Sequence, residues 1–249
     1  MPDKIYFCIV RTKTSGILYL IPRPLAYVAD PSTMSGRVQE IVKTLDGIVA
    51  ESKKSALAFL RQIGPSAPPS RPIPIRLLNE HTPPANLKDL VAPIEQGERW
   101  GLMSDAGSPA VADPGSALVR LAHEKGIRVS PESGPSSILM ALMASGLNGQ
   151  RFIFHGYLSR DGSLRRRQLR DLELDSIKQD RTQIWMETPY RNCAMFEDML
   201  SVLNDPSMVC VASDLSFPTE EIATKSIRHW KNGPRPDLKN RPSIFLLGR

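Results

Sequence analysis

One segment of the sequence combines glycine, serine and acidic residues in a pattern suited to binding a small polar molecule. It reads Ser104-Asp-Ala-Gly-Ser-Pro-Ala-Val-Ala-Asp-Pro-Gly115 and follows the apolar Trp100-Gly-Leu-Met103. Glycine at 107 allows a tight turn or a close approach of the backbone to a ligand. The side chains of Asp105 and Ser108 could hold hydroxyl or amino groups of a ligand, or could satisfy backbone donors of the loop itself. The residue types alone leave both interpretations open.

A second loop of similar character, Gly134-Pro-Ser-Ser137, precedes an apolar stretch. Backbone N–H groups at the start of a helix form a site for polar or anionic groups, although a plain helix cap would use the same residues. Earlier in the chain, Asp113 is expected to cap a helix with Pro114 at its first position. If both loops follow strands of one parallel sheet, we expect them to face one crevice.

The elements that must position these loops alternate between strand and helix patterns. Short apolar runs predict strands at 17–21, 47–50, 100–103 and 127–129, and apolar residues at helical spacing predict helices at 37–45, 53–63, 85–96, 114–125 and 137–146. This alternation is typical of a parallel sheet whose ligands bind at the carboxyl ends of its strands. The first 16 residues are a possible extension, and the proline-rich segment 65–74 is expected to be a loop.

A new series of elements begins after Gly149. Its patterns predict strands at 152–157, 183–186, 208–212 and 243–247, with helices at 164–177 and 191–203. The irregular last connections favour a mixed sheet. We therefore expect an α/β protein of two domains, residues 1–149 and 150–249.

Composition excludes several classes of protein. The three cysteines are widely spaced without a CxxC pair, and the four histidines are dispersed, so neither a disulfide scaffold nor a metal site is expected. The longest apolar stretch, 138–147, is about half of the ~20 residues that a membrane helix needs. No P-loop, GxGxxG, HExxH or GxSxG motif is present. We expect a soluble, cytoplasmic protein, whose net charge of +6 permits a polyanionic partner.

The segment 104–115 resembles the signature of the tetrapyrrole methylase superfamily, which comprises S-adenosylmethionine (SAM) methyltransferases. Other pieces resemble the family in the same order along the chain: Tyr19-Leu-Ile-Pro-Arg-Pro24, Ala50-Glu-Ser-Lys-Lys54, Ser133-Gly-Pro-Ser-Ser137, Phe154-His-Gly-Tyr-Leu158 and Glu187-Thr-Pro-Tyr-Arg191. The resemblance covers about residues 17–249 and is strongest to the branch that methylates ribose hydroxyls in ribosomal RNA.

That resemblance implies the two-domain tetrapyrrole methylase fold. Its parallel-sheet N-terminal domain and mixed-sheet C-terminal domain would hold SAM in the cleft between them. It also implies RNA as substrate and a homodimer. Neither a membrane nor a metal is implied. Matched position by position, it assigns SAM contacts to nine residues: Pro24, Asp105, Gly107, Ser108, Val111, Ser136, Ser137, Met186 and Glu187.

Methylation of a ribose hydroxyl would benefit from a general base, because the hydroxyl is a poor nucleophile until it begins to lose its proton. The candidates are Glu187, His81, Glu80 and Glu51. Glu187 is preferred because it lies in a segment that resembles the family, and His81 is second because imidazole titrates in the useful pH range. Positioning without a dedicated base is the alternative.

Arginines provide candidate contacts to RNA phosphates. Arg166 and Arg170 share one face of the predicted helix 164–177, although a solvated charged helix would show the same pattern. Arg191 could bind phosphate through its planar guanidinium or pair with Glu187 four residues earlier.

Two other functions stay open at this stage. Leu25-Ala-Tyr-Val28 lacks the glycine usual in the ribosomal branch, and Glu51-Ser-Lys-Lys54 keeps only part of that branch's acidic pair followed by Thr-Arg. The chain could therefore be a SAM-dependent methyltransferase acting on a small molecule such as a tetrapyrrole, or on a protein side chain. It could also be a degenerate, non-catalytic protein that binds RNA or SAM.

Overall fold

The computed structural model describes residues 16–26, 34–63 and 73–249. The predicted N-terminal extension and most of the proline-rich loop 65–74 lie outside the described residues. Contacts divide the described chain into two units. One comprises residues 16–23, 34–63 and 73–134, and the other comprises residues 24–26 and 135–249. No helix of the described residues is long and apolar enough to cross a membrane.

The first unit is a parallel sheet covered by helices on both faces. Its strands are β1 (Ile17–Leu20), β2 (Gly47–Ala50), β3 (Ile75–Leu77), β4 (Arg99–Met103) and β5 (Arg128–Pro131). Its helices are α1 (Gly36–Lys43), α2 (Lys53–Gln62), α3 (Leu87–Glu95) and α4 (Gly115–Glu124). The strand order is β3-β2-β4-β1-β5, and every pairing is parallel, which confirms the predicted sheet.

Alternation along the strands of this sheet divides its core into two layers. Val49 and Leu102 pack with residues of α3 and α4 on one face. Ile48 and Met103 pack with residues of α1 and α2 on the other. Neighbouring residues of a strand point to opposite faces, so strands covered on both sides must be apolar throughout. The carboxyl edge is therefore where the polar loops of this unit emerge.

The second unit is a mixed sheet, as the sequence predicted. Its strands are β6 (Phe152–Tyr157), β7 (Thr182–Glu187), β8 (Met208–Ser213), β9 (Glu221–Ser226) and β10 (Ser243–Gly248), in the order β6-β7-β10-β8-β9. Of the pairings described in this second sheet, β6–β7 is parallel and the other three are antiparallel. Its helices are α5 (Ser137–Ser145), α6 (Gly162–Gln179), α7 (Asn192–Val202) and α8 (Ile227–Asn232).

Three elements were not predicted from the sequence. β3 has three residues, and β9 is an edge strand with charged residues, so both give weak apolar patterns. The third is α8, a short helix that Ser226 caps by accepting the His229 N–H at 3.2 Å. Contacts also group α5 with the second unit, because it packs against β9 and β10. These units are defined by contacts. The predicted boundary near Gly149 is a boundary between domains that fold independently, and it stays a prediction.

A buried ion pair joins α6 to α7. Arg165, whose side chain is 8% exposed, donates from Nε to Asp198 Oδ2 at 2.7 Å. Arg166, 40% exposed, donates to the other carboxylate oxygen at 3.0 Å. Arg166, which the sequence suggested as an RNA contact, is therefore paired within the protein.

We expect Asp198→Ala to lower the free energy of unfolding by about 3–5 kcal/mol, because the buried Arg165 guanidinium loses its counter-ion. Urea denaturation followed by far-ultraviolet circular dichroism measures this loss. Arg166→Ala is the matched control and should cost no more than about 1 kcal/mol, since that pair is partly exposed. Equal losses in the two variants would contradict the assignment of the buried pair.

Candidate active site

The loops that follow β1 and β4 are joined by backbone hydrogen bonds at the carboxyl edge of the first sheet. The Arg23 N–H donates to the Gly107 carbonyl at 2.9 Å, and the Gly107 N–H donates to the Arg23 carbonyl at 3.0 Å. Gly107 has a φ of 72°, a left-handed conformation that favours glycine. The predicted need for glycine at this turn is thus explained by the pairing of two adjacent loops.

The Arg23 side chain also binds the loop that follows β4. It is buried, its Nη1 donates to the Asp105 carbonyl at 2.6 Å, and its guanidinium lies 5.8 Å from the centroid of the Phe59 ring. The sequence indicated Arg23 only as part of the family-like segment Tyr19–Pro24 at the first strand. A charged residue between two prolines at the end of a buried strand was the available signal for this role.

The segment 104–115, the signature loop, has a strained backbone in its middle, where a valine is exposed to solvent. Ala110 and Ala112 have φ values of 65° and 62°, and Val111 between them is 49% exposed. Left-handed conformations of non-glycine residues cost about 1–3 kcal/mol each and persist only where the surroundings impose them. Here the loop is anchored beyond the strained residues by Asp113, whose Oδ1 accepts the Gly115 N–H at 2.7 Å.

The predicted start of α4 is wrong by one residue: Pro114, not Asp113, is the N-cap, and the helix begins at Gly115. Asp113 precedes the cap and accepts the N–H of the first helical residue. Burial raises the pKa of the Asp113 carboxyl, and the neighbouring backbone N–H groups oppose that rise. Of the other predicted contacts in this loop, the Asp105 side chain is exposed and Ser108 is half-buried. The loop thus offers a carboxylate, an exposed apolar side chain and backbone groups, which fit a ligand with both hydroxyls and an apolar ring.

A third element reaches this loop from β2. Glu51 directly follows the strand, and its Oε1 accepts the Asp105 N–H at 2.9 Å. Burial raises the pKa of the Glu51 carboxyl, and the negative charges of Asp113 and Asp105 raise it further, whereas the Asp105 N–H and Arg23 lower it. Glu51 is thus a half-buried carboxylate that accepts a hydrogen bond from a neutral backbone amide.

The loop after β5 also lies against the end of β1. A Cβ atom added to Gly134 would be 2.2 Å from the Pro22 Cβ, so only glycine allows this approach. Next to it, the Glu132 carboxylate accepts from Arg37 Nε at 2.7 Å, and the Glu132 N–H donates to the Leu20 carbonyl at 3.1 Å. Both glycine-containing loops of the sequence analysis therefore border the segment Pro22–Arg23.

In the second unit, Ser136 and Ser137 begin α5. Ser136 is its N-cap and accepts the Leu139 N–H at 3.5 Å, and Ser137 is the first helical residue. Pro24, which belongs to the same unit, is half-buried. The cap geometry accounts for Ser136, and a cofactor contact for Pro24, Ser136 and Ser137 stays a prediction.

Glu187 ends β7 and is paired with Arg191, one of the two predicted roles of that arginine. The Glu187 side chain has no exposed surface. Its Oε1 accepts the Thr188 N–H at 2.6 Å and Arg191 Nε at 2.9 Å, while Oε2 has no hydrogen-bond partner among the described residues. Met186, the preceding residue, packs in the apolar cluster of Ile184 and Leu246.

The remaining predicted residues lie on the surface. The His81 side chain is 85% exposed, with Nε2 3.5 Å from Glu80 Oε1. Arg170 is exposed on α6 and forms no ion pair with any residue that the structure describes. Within the described ranges, no group of histidine, cysteine and acidic side chains could hold a metal ion.

Solved structures share this architecture of a parallel and a mixed sheet. Uroporphyrin-III-C-methyltransferase from Thermus thermophilus superposes with a TM-score of 0.52 at 14% identity, covering 94% of this chain and 92% of that chain. The methyltransferase CobJ gives a TM-score of 0.60 at 15% identity, covering 94% of each chain. At these identities the likeness shows the fold alone, which is the α/β fold that the sequence predicted.

Sequence comparison gives the family. The profile of the Tetrapyrrole (Corrin/Porphyrin) Methylases matches residues 28–230. The chain is 32% identical to Ribosomal RNA small subunit methyltransferase I of Escherichia coli O157:H7, over 84% of this chain and 68% of the relative. It is also 32% identical to the protein of that name from Xylella fastidiosa, over 94% of this chain and 81% of the relative. The chain belongs to the tetrapyrrole methylase family and is a methyltransferase.

We expect Gly134→Ala to lower the free energy of unfolding by about 1–3 kcal/mol, because the added methyl group overlaps Pro22 and must push the loops apart. Thermal denaturation of the purified variant measures this cost. Gly36→Ala is the matched control in the same unit, since no atom lies within 4 Å of its added Cβ. An unchanged melting temperature for Gly134→Ala would contradict the close approach of the two loops.

Proposed function

We propose that the protein transfers a methyl group from SAM to a ribose hydroxyl of small-subunit ribosomal RNA. The observation that carries this proposal is the match, along most of the chain, to relatives named Ribosomal RNA small subunit methyltransferase I. The small-molecule alternative has less support, because uroporphyrin-III-C-methyltransferase from Thermus thermophilus is only 14% identical to this chain, against 32% for the ribosomal RNA methyltransferase of Escherichia coli O157:H7.

The signature loop supports SAM as the donor. SAM supplies a methyl group that is already activated for displacement, so the protein has to bind, orient and exclude water. The exposed Asp105 carboxylate suits ribose hydroxyls, and the exposed Val111 suits the apolar face of a purine. The other proposed contacts are Pro24, Gly107, Ser108, Ser136, Ser137, Met186 and Glu187.

Exposed basic side chains support an RNA substrate. Arg167 and Arg170 lie on the solvent side of α6, and neither forms an ion pair with a described residue. Lys53 and Lys54 are exposed at the start of α2, immediately after Glu51 and Ser52. Cations that are not neutralised within the protein are available to phosphates.

We expect the wild-type protein to bind SAM and S-adenosylhomocysteine with micromolar affinity, and Ser108→Trp to abolish binding because the indole fills the space beside the signature loop. Isothermal titration calorimetry measures both. Ser163→Trp, an exposed position on α6, is the matched control and should bind as the wild type does. A folded wild-type protein that binds neither compound, even with RNA present, would contradict the proposal.

Light scattering of the same samples tests the proposed homodimer.

We expect Arg170→Gln to weaken binding to undermethylated small-subunit RNA and to reduce the slope of log affinity against log salt by about 1, because one phosphate contact is lost. Filter binding at several salt concentrations measures the slope. The exposed Arg120→Gln on α4 serves as the control of equal charge change. Identical slopes for Arg170→Gln and the wild type would remove α6 from the RNA interface. Methyl transfer from labelled SAM to the same RNA separates an enzyme from a degenerate binding protein.

A further inference from the structure

We infer that the Glu51 carboxylate accepts the proton of the ribose hydroxyl during methyl transfer. This inference rests on the proposed function and names a catalytic residue for it. From the sequence, Glu187 was the preferred candidate for this role, His81 was second, and Glu51 and Glu80 were the remaining candidates. The surroundings of each carboxylate reverse that order.

The position of Glu51 is that of a residue beside bound ligands. It follows β2 at the carboxyl edge of the parallel sheet, and β2 is the neighbour of β4, whose loop carries the family signature. Ligands of open parallel sheets bind at this edge. The 2.9 Å hydrogen bond from the Asp105 N–H to Oε1 fixes the Glu51 side chain directly on that loop.

The electrostatic surroundings of Glu51 preserve its basicity. Burial raises the pKa of the Glu51 carboxyl, the negative charges of Asp113 and Asp105 raise it further, and the Asp105 N–H and Arg23 only partly oppose these effects. A carboxylate whose pKa lies closer to the working pH is a better proton acceptor. Partial burial therefore strengthens Glu51 as a base.

The other candidates have surroundings that suit them less. Glu187 Oε1 already accepts from Arg191 Nε and from the Thr188 N–H, and the side chain has no exposed surface through which to reach a substrate hydroxyl. His81 and Glu80 are both more than four-fifths exposed, where water competes for the proton. Asp113 shares the raised pKa of Glu51, but its Oδ1 holds the Gly115 N–H and its Oδ2 is buried.

The proposed step balances without any further reactant. The hydroxyl oxygen of the ribose forms a bond to the methyl carbon of SAM as the carbon–sulfur bond breaks. The electron pair of the broken bond stays on sulfur, which yields S-adenosylhomocysteine. The hydroxyl proton passes to a carboxylate oxygen of Glu51 and is released to water after the product leaves. No oxidant, reductant or metal is needed.

The same burial has a consequence for stability. A carboxyl whose pKa is raised by folding stabilises the protein below the pKa of the unfolded chain, and that stabilisation is lost as the pH rises through the folded value. At neutral pH the ionised Glu51 is therefore less favourable in the folded protein than a neutral side chain would be. Glu51→Gln should accordingly raise the urea midpoint at neutral pH, and this gain should shrink in acid.

The decisive experiment compares Glu51→Gln with Glu187→Gln and the exposed control Glu124→Gln in single-turnover methylation of undermethylated small-subunit RNA. Glutamine at 51 keeps an oxygen for the Asp105 N–H and removes the base. We expect its rate to fall by about 10²–10⁴-fold, the range for loss of a general base, with unchanged SAM and RNA affinity. We expect the wild-type rate to rise with pH in the acid range and the Glu51→Gln rate not to do so. Glu51→Asp should restore part of the rate.

Nuclear magnetic resonance titration of the Glu51 carboxyl in the ligand-free protein gives a readout that is independent of activity. Its midpoint should lie above that of the same carboxyl in the urea-unfolded chain, and a midpoint at or below that value would overturn the inference. So would a Glu51→Gln rate equal to that of Glu124→Gln, or an unchanged pH profile. If the wild type itself methylates no RNA although it binds SAM, the proposed RNA substrate fails instead.

Discussion

The two backbone hydrogen bonds between Arg23 and Gly107 are the constraint on which the candidate site depends. β1 and β4 are neighbours in the parallel sheet, and this pairing continues their contact beyond the last strand residues. It brings Arg23 under the signature loop, where its guanidinium holds the Asp105 carbonyl. The Asp105 N–H is then directed at Glu51, and Pro22 is held where only a glycine at 134 can approach it.

This anchoring explains how the signature loop can hold strained residues in its middle. Ala110 and Ala112 lie between the Arg23–Gly107 pair on one side and the Asp113–Gly115 hydrogen bond on the other. With both ends fixed, the intervening backbone has few conformations left. The hydrogen bonds at the two ends therefore offset the free-energy cost of the left-handed alanines. In this conformation of the loop, the Val111 side chain stays exposed to solvent.

The sequence predicted the elements that burial determines and missed those that depend on distant contacts. The strands at 47–50 and 100–103 were predictable, because a sheet covered on both faces requires continuous apolar runs. The edge strand β9 lacks such a run. Resemblance to a family identified the signature loop. Neither resemblance nor periodicity indicated that the Arg23 side chain donates a hydrogen bond to the Asp105 carbonyl in that loop. Nor could they show that Glu51 accepts from an amide 54 residues further along the chain, since only the pairing of β2 with β4 brings the two together.

The partners of the two carboxylates, Glu51 and Glu187, decide what each can do. Both follow or end a strand, and both accept a backbone N–H, but only Glu187 is paired with a guanidinium. A fully buried carboxylate needs such a counter-ion to be tolerated. In Glu187 the guanidinium and the Thr188 N–H both occupy Oε1. A half-buried carboxylate can remain ionised with a neutral donor and with negative charges nearby. The half-buried carboxylate at the edge of the sheet, Glu51, is therefore the one proposed as the base, whereas Glu187 at the end of β7 is paired with Arg191.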